Sequence, residues 1–283
     1  MKRLFSFFLA LLLTVALFAG CNQGSQQSGD EEEKLLRVGM ECAFAPYNWA
    51  QSTDANGAVP INDSRDFAYG YDVMMAKYLA DKLGYKLEIY QLDWDSLPAA
   101  VQSGTIDCAI AGQSITSERL MTLDFTTPYY YASIVCLVLA DSPYAEAQGI
   151  SDLAGAIGTS QLNTIWYDVC LPQIDGATIQ PAMDSAPAML AALTSGKTEL
   201  VVTDMPTAMA AAAVYSELVL LDFSGSTDNF EVSDEEINIG ISLQKGNSEL
   251  LDALNAALAE LTIEDFETMM GDAIKVQPLA TDE

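Results

Sequence analysis

Apolar positions along the chain recur with two alternating periods. Leu35–Gly39 reads as a strand. In Tyr71–Leu83, Met75, Ala76, Leu79, Ala80 and Leu83 fall at helical spacing. Asp72 can cap the start of that helix and Gly84 stops it. Leu87–Tyr90 is the next strand. A helix opening at Asp95 or Ser96 runs through Val101 and closes at Ser103-Gly104, and Ile106–Ala111 is again a strand. Alternation of this kind predicts an α/β sheet whose strands are mainly parallel.

Further along, Asp152–Thr159 reads as a strand, Ser160 to about Leu171 as a helix, and the alanine-rich Thr207–Val214 as another. Residues 238–243 form a strand, and Glu249–Leu261 and Asp265–Met270 close the chain as helices. A short repeat links the halves: AAVQSGTIDCAIAG at 99–112 returns as AALTSGKTELVVTD at 191–204. Ser103-Gly104 matches Ser195-Gly196, Asp107 becomes Glu199, and both copies run on into an apolar strand. Two similar lobes are expected. Ligands in open α/β sheets sit beyond the carboxyl ends of strands. That rule puts the loop from Gly112 and the residue Asp204 at corresponding rims.

Composition narrows the chemistry. The 283 residues are half hydrophobic, enough for real cores, and carry 12 basic against 40 acidic side chains, a net charge of −28. Such a surface repels phosphate backbones, so no nucleic-acid partner is expected. Histidine is absent, which removes the usual general base near neutral pH and the commonest zinc ligand. Cys42, Cys108, Cys136 and Cys170 match no metal-binding spacing, so neither metal nor cofactor is expected, and no disulfide pairing is assigned.

The N-terminus carries an address. Lys2 and Arg3 precede an apolar run from Leu4 to Phe18, so residues 1–20 read as a signal peptide. The run ends Phe18-Ala19-Gly20-Cys21, which resembles a bacterial lipobox whose cysteine is lipidated; ordinary secretory cleavage is the alternative. Residues 22–33 have no apolar group to bury and read as a polar tether. The expected location is the extracytoplasmic face of a membrane, held by lipid alone.

At the rims, Gly112 admits a ligand close to the backbone, Ser114 offers a hydroxyl, and Arg119 offers a planar fork suited to a carboxylate. Arg119 could instead form an ion pair with Glu118 or Asp124. Asp204 can hold an ammonium group or cap the helix near Pro206. Thr159-Ser160 ends a strand and opens a helix whose free N–H groups favour an anion. Together these complement an α-amino acid zwitterion.

Beside this reading, the body resembles the polar amino-acid substrate-binding proteins of ABC importers, two-lobed periplasmic binding proteins. The resemblance spans nearly all of 35–275. It rests on RVGMECAFAPYNW (37–49), YGYDVMMAKYLADKLG (69–84), WDSLPAAVQSGTIDCAIAGQSITSERLMTLDFTTPYYYAS (94–133), DLAGAIGTSQ (152–161) and SGKTELVVTDMP (195–206). It implies two Rossmann-like α/β lobes joined by a two-strand hinge, with 34–133 plus 238–283 in one and 134–237 in the other. It implies that Arg119 clamps the ligand carboxylate, helped by backbone at Gly112 and by Thr159-Ser160. Asp204, the Ala111 carbonyl and the Ser114 hydroxyl would take the ammonium. Phe44 and Tyr71 would pack on the ligand side chain, and Glu41 would read its polar end; Tyr47 and Trp49 read as lobe core. Gln113, Met74 and an apparent insertion at Val59–Phe67 depart from the family pattern. The resemblance implies a monomer that captures an L-amino acid, polar or cationic, and hands it to a membrane permease. A dehydratase-like enzyme using Glu41 and a ligand-sensing module are the alternatives.

Overall fold

The computed structural model describes residues 34–233 and 237–278. The signal peptide, Cys21 and the tether lie outside the described residues.

Two five-stranded sheets organise the body. The first runs, in spatial order, Lys86–Gln91, Leu35–Met40, Cys108–Ala109, Ser242–Gln244 and Leu123–Phe125. The second runs Thr178–Ile179, Ile157–Thr159, Leu200–Asp204, Ile134–Leu139 and Leu218–Leu221. Both share one pattern: three parallel strands, then two antiparallel pairings. The expectation of mainly parallel strands therefore holds for half of each sheet. Where the chain passes between the two lobes, Tyr130–Tyr131 pairs antiparallel with Asn238–Ile239.

The repeat is structural. Helix α1 (Tyr71–Leu83) precedes α2 (Leu97–Ser103) in the first lobe, and α3 (Ala186–Thr194) takes the place of α2 in the second. Gly104 and Gly196 both adopt positive φ, the left-handed turn that a glycine makes at least cost. The Thr105 N–H returns to Ala100 O and the Lys197 N–H to Ala192 O, the same helix-closing bond in both lobes. Asp107 then accepts the Arg37 N–H at 2.8 Å, and Glu199 accepts the Ile157 N–H at 2.8 Å. The acidic residue of the repeat thus ties each strand to its parallel neighbour.

Several elements differ from the sequence expectation. Gly70, not Asp72, stands at the start of α1. Asp72 is fully buried and accepts hydrogen bonds from Asn48 Nδ2 and the Tyr129 hydroxyl, both at 2.7 Å, so its carboxylate has stronger donors than the helix end supplies. The helix expected from Ser160 starts later. Gln161 pairs with Met183, Asn163 takes a left-handed turn, and the chain coils only from there on, as the wide π turn Trp166–Cys170 followed by the 3-10 turn Leu171–Gln173. The strand expected over 238–243 is two short ones, broken where a side chain on Gly240 would meet Ile115 at 2.7 Å.

Helix α4 (Met205–Val214) follows Asp204 directly, and α5 (Ser248–Leu258) packs against α1. Helix α6 (Ile263–Val276) extends well past Met270. A Thr262–Asp265 capping box starts it, and Phe266, Met270 and Ala273 continue its buried stripe. The Val59–Phe67 segment is a hairpin. Val59–Pro60 pairs with Phe67–Tyr69 in a four-stranded sheet with Asn48–Gln51 and Ala43–Phe44. Beyond it Ile61 pairs with Ile89, and the Asn62 N–H donates to Ile89 O at 2.7 Å. Cys42, Cys108 and Cys136 are buried thiols that pack as small core residues.

Candidate functional site

The turn after Leu35–Met40 delivers two rings into the space between the lobes. Phe44 stacks on Tyr47 with centroids 4.7 Å apart and planes 18° from parallel. Gly112 lies against this pair: at φ +63°, a Cβ there would stand 2.6 Å from Phe44 Cε1. Its N–H donates to the Tyr129 hydroxyl at 3.1 Å, which in turn donates to Asp72. That N–H is therefore occupied, and the loop is braced from behind by a buried carboxylate. Burial pushes the Asp72 carboxyl up to about 7.

Arg119 reaches across the cleft. One guanidinium nitrogen donates to Ser114 O in its own loop and another to Asn163 O in the opposite lobe, both at 2.8 Å. The group lies over the Trp94 ring, 5.4 Å from its centroid. Asp124 pairs with Lys245 instead, so the ion-pair alternative with that residue fails. Burial lowers the Arg119 guanidinium to about 10, with Glu118 and Asp168 opposing the shift.

Arg119, Trp94, Phe44, Gln161, Thr164 and Trp166 are among the residues enclosing a central cavity of about 10 Å³. That is room for about one water molecule, so an amino acid requires the walls to part. Larger cavities flank it. One of about 570 Å³ is lined by Glu41, Asp93, Asp95 and Asp184, with no basic residue on its wall. The other, of about 430 Å³, lies between Glu118 and Asp168 outside Arg119. Trp94 borders all three.

Glu41 is buried, and its closest side-chain partner is Gln161 Nε2 at 3.4 Å. Burial raises its carboxyl to about 7; the Gln161 bond opposes the shift and the nearby Asp93 adds to it.

The other expected residues sit elsewhere. Asp204 caps α4: Oδ1 accepts the Thr207 N–H at 2.9 Å, while Oδ2 accepts the Tyr47 hydroxyl at 2.8 Å. Burial raises its carboxyl as well. Arg119 and Asp204 do not face one shared gap in this conformation, because Phe44 lines the cavity beside Arg119 and its stacking partner Tyr47 occupies Asp204. Tyr71 lies a layer behind, stacked on Tyr129 at 5.7 Å and donating its hydroxyl to Tyr129 O, off the cavity wall. Ala111 is fully buried.

The Thr159 and Ser160 hydroxyls donate to Pro181 O at 2.9 Å and Val202 O at 2.7 Å. No helix begins there, so the anion-binding start expected at these residues is not formed. Gln161, Asn163 and Thr164, one to four positions past Ser160, take the cleft positions instead. Sequence reasoning passed over these three, and Trp94 and Trp166 with them, and placed Tyr47 in the lobe core. Trp94 was visible as the aromatic opening the WDSLPAAVQSG segment, but nothing in the spacing marked its direction.

Comparison with known proteins places this geometry. Residues 36–267 match the model of the bacterial extracellular solute-binding proteins, family 3. The chain is 28% identical over 270 residues to the arginine-binding extracellular protein ArtP of Bacillus subtilis (strain 168), covering 92% of this chain and 93% of that one. It is 27% identical to the L-cystine-binding protein TcyJ of Escherichia coli (strain K12), covering 88% of each. Among solved structures, an amino acid ABC transporter substrate-binding protein from Streptococcus pneumoniae bound to L-arginine superposes with a TM-score of 0.73 at 26% identity. That match covers 85% of this chain and 93% of that one.

Proposed function

From the premise that the chain belongs to the bacterial extracellular solute-binding proteins, family 3, we propose that it captures a cationic L-amino acid between its lobes and delivers it to an ABC importer. It is a binding protein and not an enzyme. The observation that carries the ligand class is the pairing of two features across Trp94. The Arg119 guanidinium is held in the cleft over the Trp94 ring, and a cavity walled by Glu41, Asp93, Asp95 and Asp184 also borders that tryptophan.

In this reading the ligand carboxylate takes the guanidinium of Arg119, with Thr164 and Ser114 nearby. The ammonium takes Asp204 in place of the Tyr47 hydroxyl, and the side-chain cation meets Glu41. Phe44 and Trp94 supply apolar walls. Lobes of 34–133 with 238–283, and 134–237, turn about the paired Tyr130–Tyr131 and Asn238–Ile239 crossing, closing where both sets of contacts form. Lipidation at Cys21 holds the monomer at the outer membrane face beside its permease.

A thermal-shift screen of the body from residue 34 against the twenty amino acids tests this. Arginine and lysine are expected to raise Tm most, by mass action. A folded protein that responds to none of them overturns the reading, and a response to acidic side chains alone overturns the cationic ligand class.

A further inference from the structure

The two loops that carry the proposed ligand contacts are tied to one buried carboxylate. Asp72 Oδ1 accepts the Tyr129 hydroxyl and Oδ2 accepts Asn48 Nδ2, both at 2.7 Å, and all three side chains are fully buried. Each partner in turn holds a main-chain N–H. The Tyr129 oxygen accepts that of Gly112 at 3.1 Å, and Asn48 Oδ1 accepts that of Cys42 at 2.7 Å. Gly112 and Cys42 stand at φ +63° and +55° and open the loops that carry Arg119 and Phe44. Cys42 has a side chain, so it keeps that left-handed turn only where its surroundings fix it. Asp72 holds the same loop through its backbone: its N–H donates to Tyr47 O at 2.8 Å, beside the Tyr71 N–H on Pro46 O at 3.1 Å. Gly70 lets α1 start this close, since a Cβ there would stand 2.3 Å from Tyr47 O.

We infer that Asp72 is a positioning residue for the ligand site: through Tyr129 and Asn48 its carboxylate sets the Gly112–Arg119 and Glu41–Tyr47 loops in one register. The group assigned to the ligand carboxylate and those assigned to its side chain are thereby placed together. The effect on ligand rests on the proposed function, whereas the bracing of the loops does not. A carboxylate suits the junction because two donors converge there and each oxygen takes one, where an amide would offer a single acceptor atom. Buried surroundings strengthen both bonds and make a missing partner costly. Loops held in place by the protein itself also spare the ordering entropy that binding would otherwise cost.

Asp72→Ala removes both arms of this network and Tyr129→Phe only the one to Gly112; the second variant decides should the first not fold. Amide hydrogen exchange reads the bracing without any ligand. Relative to the amides of Leu35–Met40, Asp72→Ala is expected to speed exchange about five-fold, one hydrogen bond's worth, at both Gly112 and Cys42, and Tyr129→Phe at Gly112 alone. Calorimetric titration with arginine reads the positioning: Kd is expected to rise about five-fold in Tyr129→Phe and further in Asp72→Ala. Leu254→Ala, a buried position of α5 outside the network, sets the baseline, because it lowers Tm by leaving a cavity. Unchanged exchange at Gly112 in either variant, or at Cys42 in Asp72→Ala, overturns the bracing. Faster exchange with an unchanged Kd, or a Kd raised as much by Leu254→Ala, overturns the positioning role. A wild type that binds no arginine counts against the proposed ligand alone, and exchange then decides the bracing.

Discussion

Replacing Tyr47 with Phe removes a single hydroxyl, and the structure fixes what that oxygen does. It donates to Asp204 Oδ2 at 2.8 Å, inside fully buried surroundings, from one lobe to the other. Asp204 keeps its Thr207 N–H partner on Oδ1, so the variant leaves one carboxylate oxygen without a donor. A hydrogen bond to a charged group is worth about 1.5–3 kcal/mol. At about 2 kcal/mol, and at roughly 2–4 °C per kcal/mol for a body of this size, ligand-free Tm should fall by about 4–8 °C. Ligand affinity should move the other way. In the proposed binding mode an incoming ammonium displaces the Tyr47 hydroxyl, whereas the variant has nothing to displace, so Kd should drop by up to about 30-fold. Calorimetric titration with arginine at pH 7.5, beside differential scanning of the free protein, measures both. A lower Tm together with weaker binding refutes the displacement, for it means that Tyr47 stays on Asp204 or itself touches the ligand.

Arg119→Ala should weaken arginine binding by at least 100-fold while the protein stays folded, because it removes the guanidinium that the proposed binding mode assigns to the ligand carboxylate; titration showing near-wild-type affinity rules out the clamp. Glu41 gives a pH signature. Its carboxyl is raised from 4.5 to about 7 by burial, so the native state resists an ionisation that the unfolded chain performs freely. The penalty is absent below about pH 4.5, grows as pH rises towards 7, and then stays constant, on the order of 3 kcal/mol. Urea midpoints should therefore show Glu41→Gln gaining on wild type at pH 8 and matching it near pH 4.5; a pH-independent difference contradicts this. In the wild type, arginine binding near pH 6.5 should release protons, read as a buffer-dependent enthalpy in titration.

The lobes were legible because their signals are local. Helical spacing in Tyr71–Leu83 needs only thirteen consecutive residues, and the Ser-Gly stops of the repeat mark turns closed by bonds within one helix end. Family membership followed from the order of such segments. The cleft was less legible because its partners are remote in sequence. Tyr47 meets Asp204 at a separation of 157 residues, and Trp94 meets Leu162 at 68. A tyrosine in an apolar segment carries no mark of which carboxylate its hydroxyl will find. Thr159 and Ser160 misled for a different reason: hydroxyls at a strand's end suggest a helix start, yet here they satisfy the carbonyls of Pro181 and Val202, and Asn163 postpones the coil. Asp72 likewise occupies a capping position in sequence but turns to Asn48 and Tyr129.

The hairpin at Val59–Phe67 bears on how these molecules coexist. Lys86–Gln91 is the border strand of the first sheet, and such a border offers unpaired amides and carbonyls to any neighbouring chain. Ile61 and Asn62 already engage Ile89 there, and Pro60 at the hairpin's own margin withholds a donor. Where many copies share one crowded surface, that self-coverage favours separate particles over sheet-to-sheet aggregation. Deleting the hairpin should be felt first as lost solubility rather than as lost ligand capture.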